Sequence, residues 1–171
     1  NETGAVQPVG EVGDIVHQAG GLLHVDAIQA LGKIPFDIKS VWADLLTLSA
    51  HKIGGPKGVG ALVLAEDVQG LEPQLRGGGQ ELGRRAGTEN VAGIAAFGAA
   101  ARAAMAALPA DAERMLGLRN RLETGLQQTP GIVLFSANAP RLPNTTLFTV
   151  PGLKAETAVI GFDLGGIAVS S

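Results

Sequence analysis

The chain has 171 residues, of which 46% are hydrophobic, 17% charged and only 4% aromatic, and it carries a formal net charge of −3. One domain of that length buries roughly 70% of its unfolded surface, and so many apolar residues with so few charges exclude extensive disorder. The slightly acidic balance offers nothing to nucleic acid or an anionic membrane surface, and a chain without cysteine has no disulfide framework and no thiolate metal site.

A cytoplasmic protein fits that cysteine usage. No run reads as long and apolar enough to span a bilayer, because Arg102 interrupts the Ala-rich stretch at 91–108. No basic-then-apolar leader follows Asn1, so no signal peptide is expected. A loop-like beginning and an apolar stretch running to Ser171 read as a segment of a longer polypeptide.

In chain order, Pro8 suits the first turn of a helix, where its missing N–H costs nothing. Val9, Val12, Val16 and Ala19 then recur at helical spacing until Gly20 and Gly21 stop the helix. The run 22–26, Leu-Leu-His-Val-Asp, predicts a strand covered on both faces. One or two helical turns at 27–32, an extended connection at 33–37 and a short helix at 38–43 lead to a second strand at 44–49.

A third apolar run occupies 59–64. Helix, strand, helix, strand predicts a parallel or mixed α/β sheet. The Gly- and Arg-rich segment 77–87 has no hydrophobic period and reads as a mobile, phosphate-binding or interface loop. A long helix follows at 91–108, is broken by Pro109, and gives way to a second helix from Asp111. Strands at 132–135 and 145–150, a helix at 155–164 and a last strand at 167–169 complete the chain. The change of texture near Pro109 predicts two parts: 1–108 in a larger domain with a linker helix, and 109–171 opening a smaller one.

The stretch 48–60, Leu-Ser-Ala-His-Lys-Ile-Gly-Gly-Pro-Lys-Gly-Val-Gly, holds the densest chemistry. It places a hydroxyl, an imidazole and an amine in a turn between two apolar runs, followed by glycines that let backbone approach a ligand. In α/β sheets ligands sit outside the carboxyl ends of the strands, and Asp26 and the turn 49–52 both fall there. A phosphorylated aldehyde cofactor needs a lysine to form an imine and a carboxylate to keep its ring nitrogen protonated. It also needs donors for its phosphate and a hydrogen bond to its phenolic oxygen. Lys52, Asp26, the pair Ser49 and His51, and Gln29 supply those groups on one rim.

Each residue has a plainer reading. A strand-end Asp taken alone is a helix cap by roughly three to one, and His51 alone is more often a hydrogen-bonded turn residue. Lys57 reads as a solvated loop lysine, His24 as a partly buried polar residue with a partner, and His17 as a surface residue. Lys52 is different, because packing gives it little reason to stand between a strand and glycines. Competing chemistry is weak: His17, His24 and His51 lack metal-ligand spacing. There is no P-loop, no GxGxxG after a strand and no Gly-x-Ser-x-Gly elbow.

Four motifs in order, Asn-Glu-Thr-Gly at 1–4, His-Val-Asp-Ala-Ile-Gln at 24–29, the stretch 48–60 and Gly-Gly-Gly-Gln-Glu-Leu-Gly-Arg-Arg-Ala-Gly-Thr-Glu-Asn at 77–90, resemble the cysteine desulfurases. These are pyridoxal-phosphate enzymes of the class V aminotransferase group with fold type I architecture. The resemblance implies the later part of the large mixed-sheet domain plus the start of the small α/β domain. It implies Lys52 as the imine lysine, Asp26 at the pyridine nitrogen, Gln29 and Asn1 near the phenolic oxygen, and Ser49 and His51 at the phosphate. Thr88 would reach the phosphate of the neighbouring subunit in a homodimer, which gives the loop 77–87 an interface role.

The implied reaction converts L-cysteine to L-alanine and leaves persulfide sulfur for an acceptor or scaffold protein, in iron–sulfur assembly or tRNA thiolation. In the family a nucleophilic cysteine follows a Val-Ser-Ser run, and the chain reaches only Val169, Ser170 and Ser171. The family's cofactor-stacking histidine and its substrate-binding arginine are likewise not among these residues, so the chain alone is not expected to complete desulfuration. Selenocysteine lyase, another class V enzyme, or an inactive dimerisation or binding module stand as the other readings.

Overall fold

The computed structural model describes residues 1–171 as two compact units, Gln7–Asp111 and a second made of Asn1–Val6 with Ala112–Ser171. The first six residues join the second unit through backbone bonds: Val6 N–H donates to the Pro140 carbonyl at 2.8 Å, and Leu142 N–H to that of Gly4 at 2.8 Å. Gly4 is required there. It has φ +70°, and a Cβ on it would stand 2.8 Å from the Thr145 Cβ.

The unit Gln7–Asp111 begins with α1 (Val9–Gln18). A three-stranded sheet follows, formed by β1 (His24–Asp26), β2 (Leu45–Ser49) and β3 (Gly60–Leu64) in the order β1-β2-β3. β1 runs parallel to β2 with Asp26 opposite Thr47, and β3 runs antiparallel with Gly60 opposite Ser49. The sheet is therefore mixed.

Strand residues alternate between faces, and the register sorts them cleanly. Val25, Leu46, Leu48 and Val63 lie with Ala27, Ala43, Phe36 and Ile38 in the core. His24, Asp26, Thr47 and Ser49 share the opposite face, where His24 Nε2 and Thr47 Oγ1 are 3.2 Å apart. The expectation of a first strand covered on both faces is thus corrected: His24 and Asp26 are exposed and only Val25 between them is half-buried. What looks like a continuous apolar run carries polar side chains at every second position.

Three local expectations also change. Residues 38–43 form hydrogen-bonded turns rather than a helix, since Trp42 adopts φ +52° and takes the chain out of helical geometry. Residues 167–169 form no strand. Pro109 does not end its helix: α2 runs unbroken over Val91–Leu126. Proline removes one backbone hydrogen bond and crowds the preceding turn, but here its ring is exposed while Leu108 beside it is buried. Because the helix continues for 36 residues, it meets the length and composition of a membrane-crossing helix. The expectation that Arg102 rules this out is corrected, although the apolarity comes mainly from alanine.

His17, expected at the surface, is half-buried and pairs with the buried Asp44 at 2.8 Å. The Asp44 carboxylate also accepts the Leu23 N–H. The His17 hydrogen bond, then that backbone bond, holds its carboxyl below the usual aspartate range.

In the second unit, the part of α2 from Ala112 onward accompanies β4 (Val133–Leu134), β5 (Phe148–Thr149) and α3 (Ala155–Leu164). β4 and β5 pair antiparallel, and Phe148 meets Phe162 of α3 edge-on with ring centroids 6.2 Å apart. Glu123 on α2 accepts from Arg141 Nη1 and Nη2, at 2.7 and 2.9 Å, and from the Thr146 hydroxyl at 2.8 Å. The Arg141 hydrogen bond leads the causes that hold Glu123 below the usual glutamate range.

With Arg141 only 5% exposed, breaking this pair strands a buried charge, so Glu123→Gln should cost about 3–5 kcal/mol at neutral pH. Because the folded carboxyl titrates below its unfolded value, its contribution is present above about pH 4.5 and fades as pH falls through the folded value. Urea unfolding of both proteins across that acid range should show the gap between them closing.

Candidate functional site

The turn after β2 is built on Ala50, which is fully buried. Its N–H donates to the Val59 carbonyl at 3.0 Å, and its own carbonyl accepts the N–H groups of Ile53 at 3.1 Å and Gly55 at 2.9 Å. The short 3-10 turn Ala50–Lys52 is therefore closed against the start of the returning segment. Gly55 permits the closure, because a Cβ there would lie 2.9 Å from the Ala50 Cβ and 3.0 Å from its carbonyl oxygen.

This turn carries three of the expected residues. Ser49 Oγ and His51 Nδ1 are 2.7 Å apart, a hydrogen bond that fixes the imidazole beside the hydroxyl. Both line a cavity of about 480 Å³ with Ile28, Thr47, Val59 and Gly60. Lys52 follows at once, exposed at the end of the turn.

Asp26 ends β1, the strand parallel to β2. Its register places it two positions before the level of Ser49 on the same face, about 7 Å along the strand and roughly one strand spacing to the side. Asp26 Oδ1 accepts the Ile28 N–H at 3.0 Å, the capping arrangement expected of a strand-end aspartate, while the carboxylate as a whole stays exposed. Gln29 stands half-buried in the turn that begins there. The carboxyl ends of two adjacent parallel strands thus hold a carboxylate, a hydroxyl–imidazole pair and an amine on one rim.

Thr88 is exposed in the loop ahead of α2, and its carbonyl accepts Arg85 Nη1 at 3.3 Å. The loop is held by Gln80, whose Oε1 accepts the Gly87 N–H at 3.1 Å. Within it Glu81 and Leu82 adopt φ +51° and +58°, and Leu82 is 91% exposed. Asn1 belongs to the unit containing Ala112–Ser171 and is exposed there, with its α-amino group 3.5 Å from the Glu2 carboxylate.

Lys33, placed by sequence reasoning in a plain connection, reaches the site turn. Its Nζ donates to the Lys52 carbonyl at 2.9 Å and to the Leu31 carbonyl at 3.3 Å. Burial first, and the Lys52 charge second, push its amine below the usual lysine range. No local pattern could have found it, because the partner carbonyl lies nineteen positions on.

The profile described as Aminotransferase class-V matches residues 1–171. A cysteine desulfurase of Enterobacter agglomerans is 46% identical over all of this chain and 42% of its own length. One of Cereibacter sphaeroides is 45% identical over all of this chain and 43% of its own. Among solved structures, a NifS-like protein from Rickettsia africae ESF-5 superposes with a TM-score of 0.95 at 40% identity, covering 99% of this chain and 47% of that one. The apo cysteine desulfurase from Thermococcus onnurineus NA1 gives 0.85 at 27% identity, covering 100% and 47%. The chain spans less than half the length of these relatives. It belongs to the class V aminotransferase family and has the fold of its NifS-like members.

The closure around Ala50 predicts a graded response among the glycines. Gly55→Ala should cost about 1–3 kcal/mol by overpacking the turn. Gly10→Ala on α1, where a Cβ meets nothing within 4 Å, should be neutral or stabilising by up to about 1 kcal/mol. Denaturant unfolding of the two variants checks the contrast.

Proposed function

We propose that this chain is the lysine-bearing part of a pyridoxal-phosphate-dependent cysteine desulfurase, which converts L-cysteine to L-alanine and passes the sulfur on as a persulfide. The observation that carries the reading is the rim itself. Asp26 and the run Ser49, His51 and Lys52 stand at the carboxyl ends of adjacent parallel strands, in a chain 46% identical to a cysteine desulfurase.

The donor set fits the cofactor. Lys52 is the exposed amine that would anchor the aldehyde, and as a free amine it would be the natural base for the substrate Cα proton. Asp26, with Oδ1 engaged by Ile28 and the carboxylate open to solvent, is suited to hold a protonated ring nitrogen. Ser49 and His51, already paired, offer a hydroxyl and an imidazole to the phosphate. Gln29 is assigned to the phenolic oxygen. When bound, the cofactor supplies an electron sink for the carbanion left by Cα deprotonation.

Thr88 is assigned to the cofactor phosphate of a second copy in a homodimer, an assignment supported by its exposure and by the exposed Leu82 on the same loop. The persulfide requires a thiol, and with no cysteine among these residues it falls to the remainder of the longer enzyme. A sulfur-accepting or scaffold protein then takes the product sulfur.

Pyridoxal phosphate should give the full-length protein a visible absorbance band that survives gel filtration. Borohydride reduction should then add the cofactor's mass to the peptide containing Lys52. Lys52→Ala should show neither, and a band of wild-type strength in that variant would sink the assignment. Asp26→Asn should keep the band while lowering the rate of alanine formation by at least about 100-fold, the scale of a lost electrostatic partner at a reacting centre.

A further inference from the structure

We infer that Lys33 is a positioning residue for Lys52: its ammonium clamps the carbonyls of Leu31 and Lys52 together and holds in place the backbone from which the anchoring side chain projects. The inference rests on the reading of Lys52 as the cofactor lysine, but its geometry is independent of any bound group. One nitrogen reaches the Lys52 carbonyl at 2.9 Å and the Leu31 carbonyl at 3.3 Å. These bonds join the turn that follows Asp26 and contains Gln29 to the turn that follows Ser49 and carries His51 and Lys52.

The backbone around Lys33 is arranged for that reach. Gly32 has φ +69°, a conformation that favours glycine, and a Cβ there would press on the Ala104 Cβ at 3.1 Å and the Ile53 Cγ2 at 3.2 Å. The apolar contact at Gly32 and the polar clamp at Lys33 therefore act on neighbouring residues of the same pair of turns, Ile53 being next to Lys52. The Lys33 amine is also half-buried, and burial first and the Lys52 charge second hold it below the usual lysine range.

An ordinary surface lysine explains none of this. A carbonyl at the end of a short 3-10 turn has no partner within the turn, and here a cation from another segment supplies one. Bonds from a charged donor are worth more than neutral ones. The clamp restrains the backbone of Lys52 while leaving its side chain free to react.

The test uses Lys33→Met, which keeps the stem and removes the charged donor, Lys33→Arg, which keeps a cationic donor, and Lys33→Gln as a second neutral variant that retains one polar donor. Hydrogen exchange is read first on the full-length protein without cofactor. Amides at 50–55 should exchange about tenfold faster in Lys33→Met, the scale of a lost charge-assisted bond, with smaller changes in Lys33→Gln and least in Lys33→Arg. The visible band should then form more slowly on adding pyridoxal phosphate to Lys33→Met and recover towards wild type in Lys33→Arg. Unchanged exchange at 50–55, equal acceleration throughout Gln7–Asp111, or no recovery with arginine would each overturn the clamp. Because exchange is measured without cofactor, the clamp stands or falls separately from the role given to Lys52.

Discussion

The site depends on one closure. Ala50, with no exposed surface, returns its N–H to Val59 and offers its carbonyl to both Ile53 and Gly55. The lysine side of the rim hangs on that knot: Ser49 enters it, His51 and Lys52 sit on it, and Gly60 leaves opposite Ser49. Its centre is shut off from solvent, and the carbonyl that accepts twice leaves little freedom for the turn. Chemistry is thus borne by a short segment whose backbone hydrogen bonds are largely spoken for, as a preorganised centre requires.

Around that knot the charges are few and local. Two ammonium groups, Lys33 and Lys52, share one turn carbonyl's neighbourhood, and the Lys33 amine is depressed by burial and by the other's charge. Elsewhere carboxylates take the burden: Asp44 is tied to His17 and a backbone amide, and Glu123 to Arg141 and Thr146. Both carboxyls are held below their usual range by these hydrogen bonds. Each compact unit therefore has its own buried or nearly buried, hydrogen-bonded carboxylate, separate from the exposed rim where reactivity is wanted.

Much of this was legible in the sequence where the signal is local. Pro8 and Gly20 bracket α1, the runs either side of the Lys52 turn became β2 and β3, and α3 occupies the expected 155–164. The rim was readable because Asp26 and Ser49 each close an apolar run, and strand ends in such sheets point the same way. Failures came where distant residues decide. Pro109 carries a strong local breaker signal, yet the turns on both sides of it keep the helix going. His17 looks like a surface residue until Asp44, twenty-seven positions later, comes to meet it. Lys33 had no pattern at all, since its partner is a backbone carbonyl and any residue could have supplied one.

The division of the sheet into an apolar and a reactive face has a genetic consequence. Along β2, Leu46 and Leu48 face the core while Thr47 and Ser49 face the polar side. Losing or gaining a single codon between the start of β2 and the Ala50 knot would exchange these sets, burying hydroxyls and exposing leucines. Change of two codons would preserve the sidedness and only shorten or lengthen the strand. The history of this segment in related genes should therefore be written in substitutions, with length changes deferred to the loops on either side.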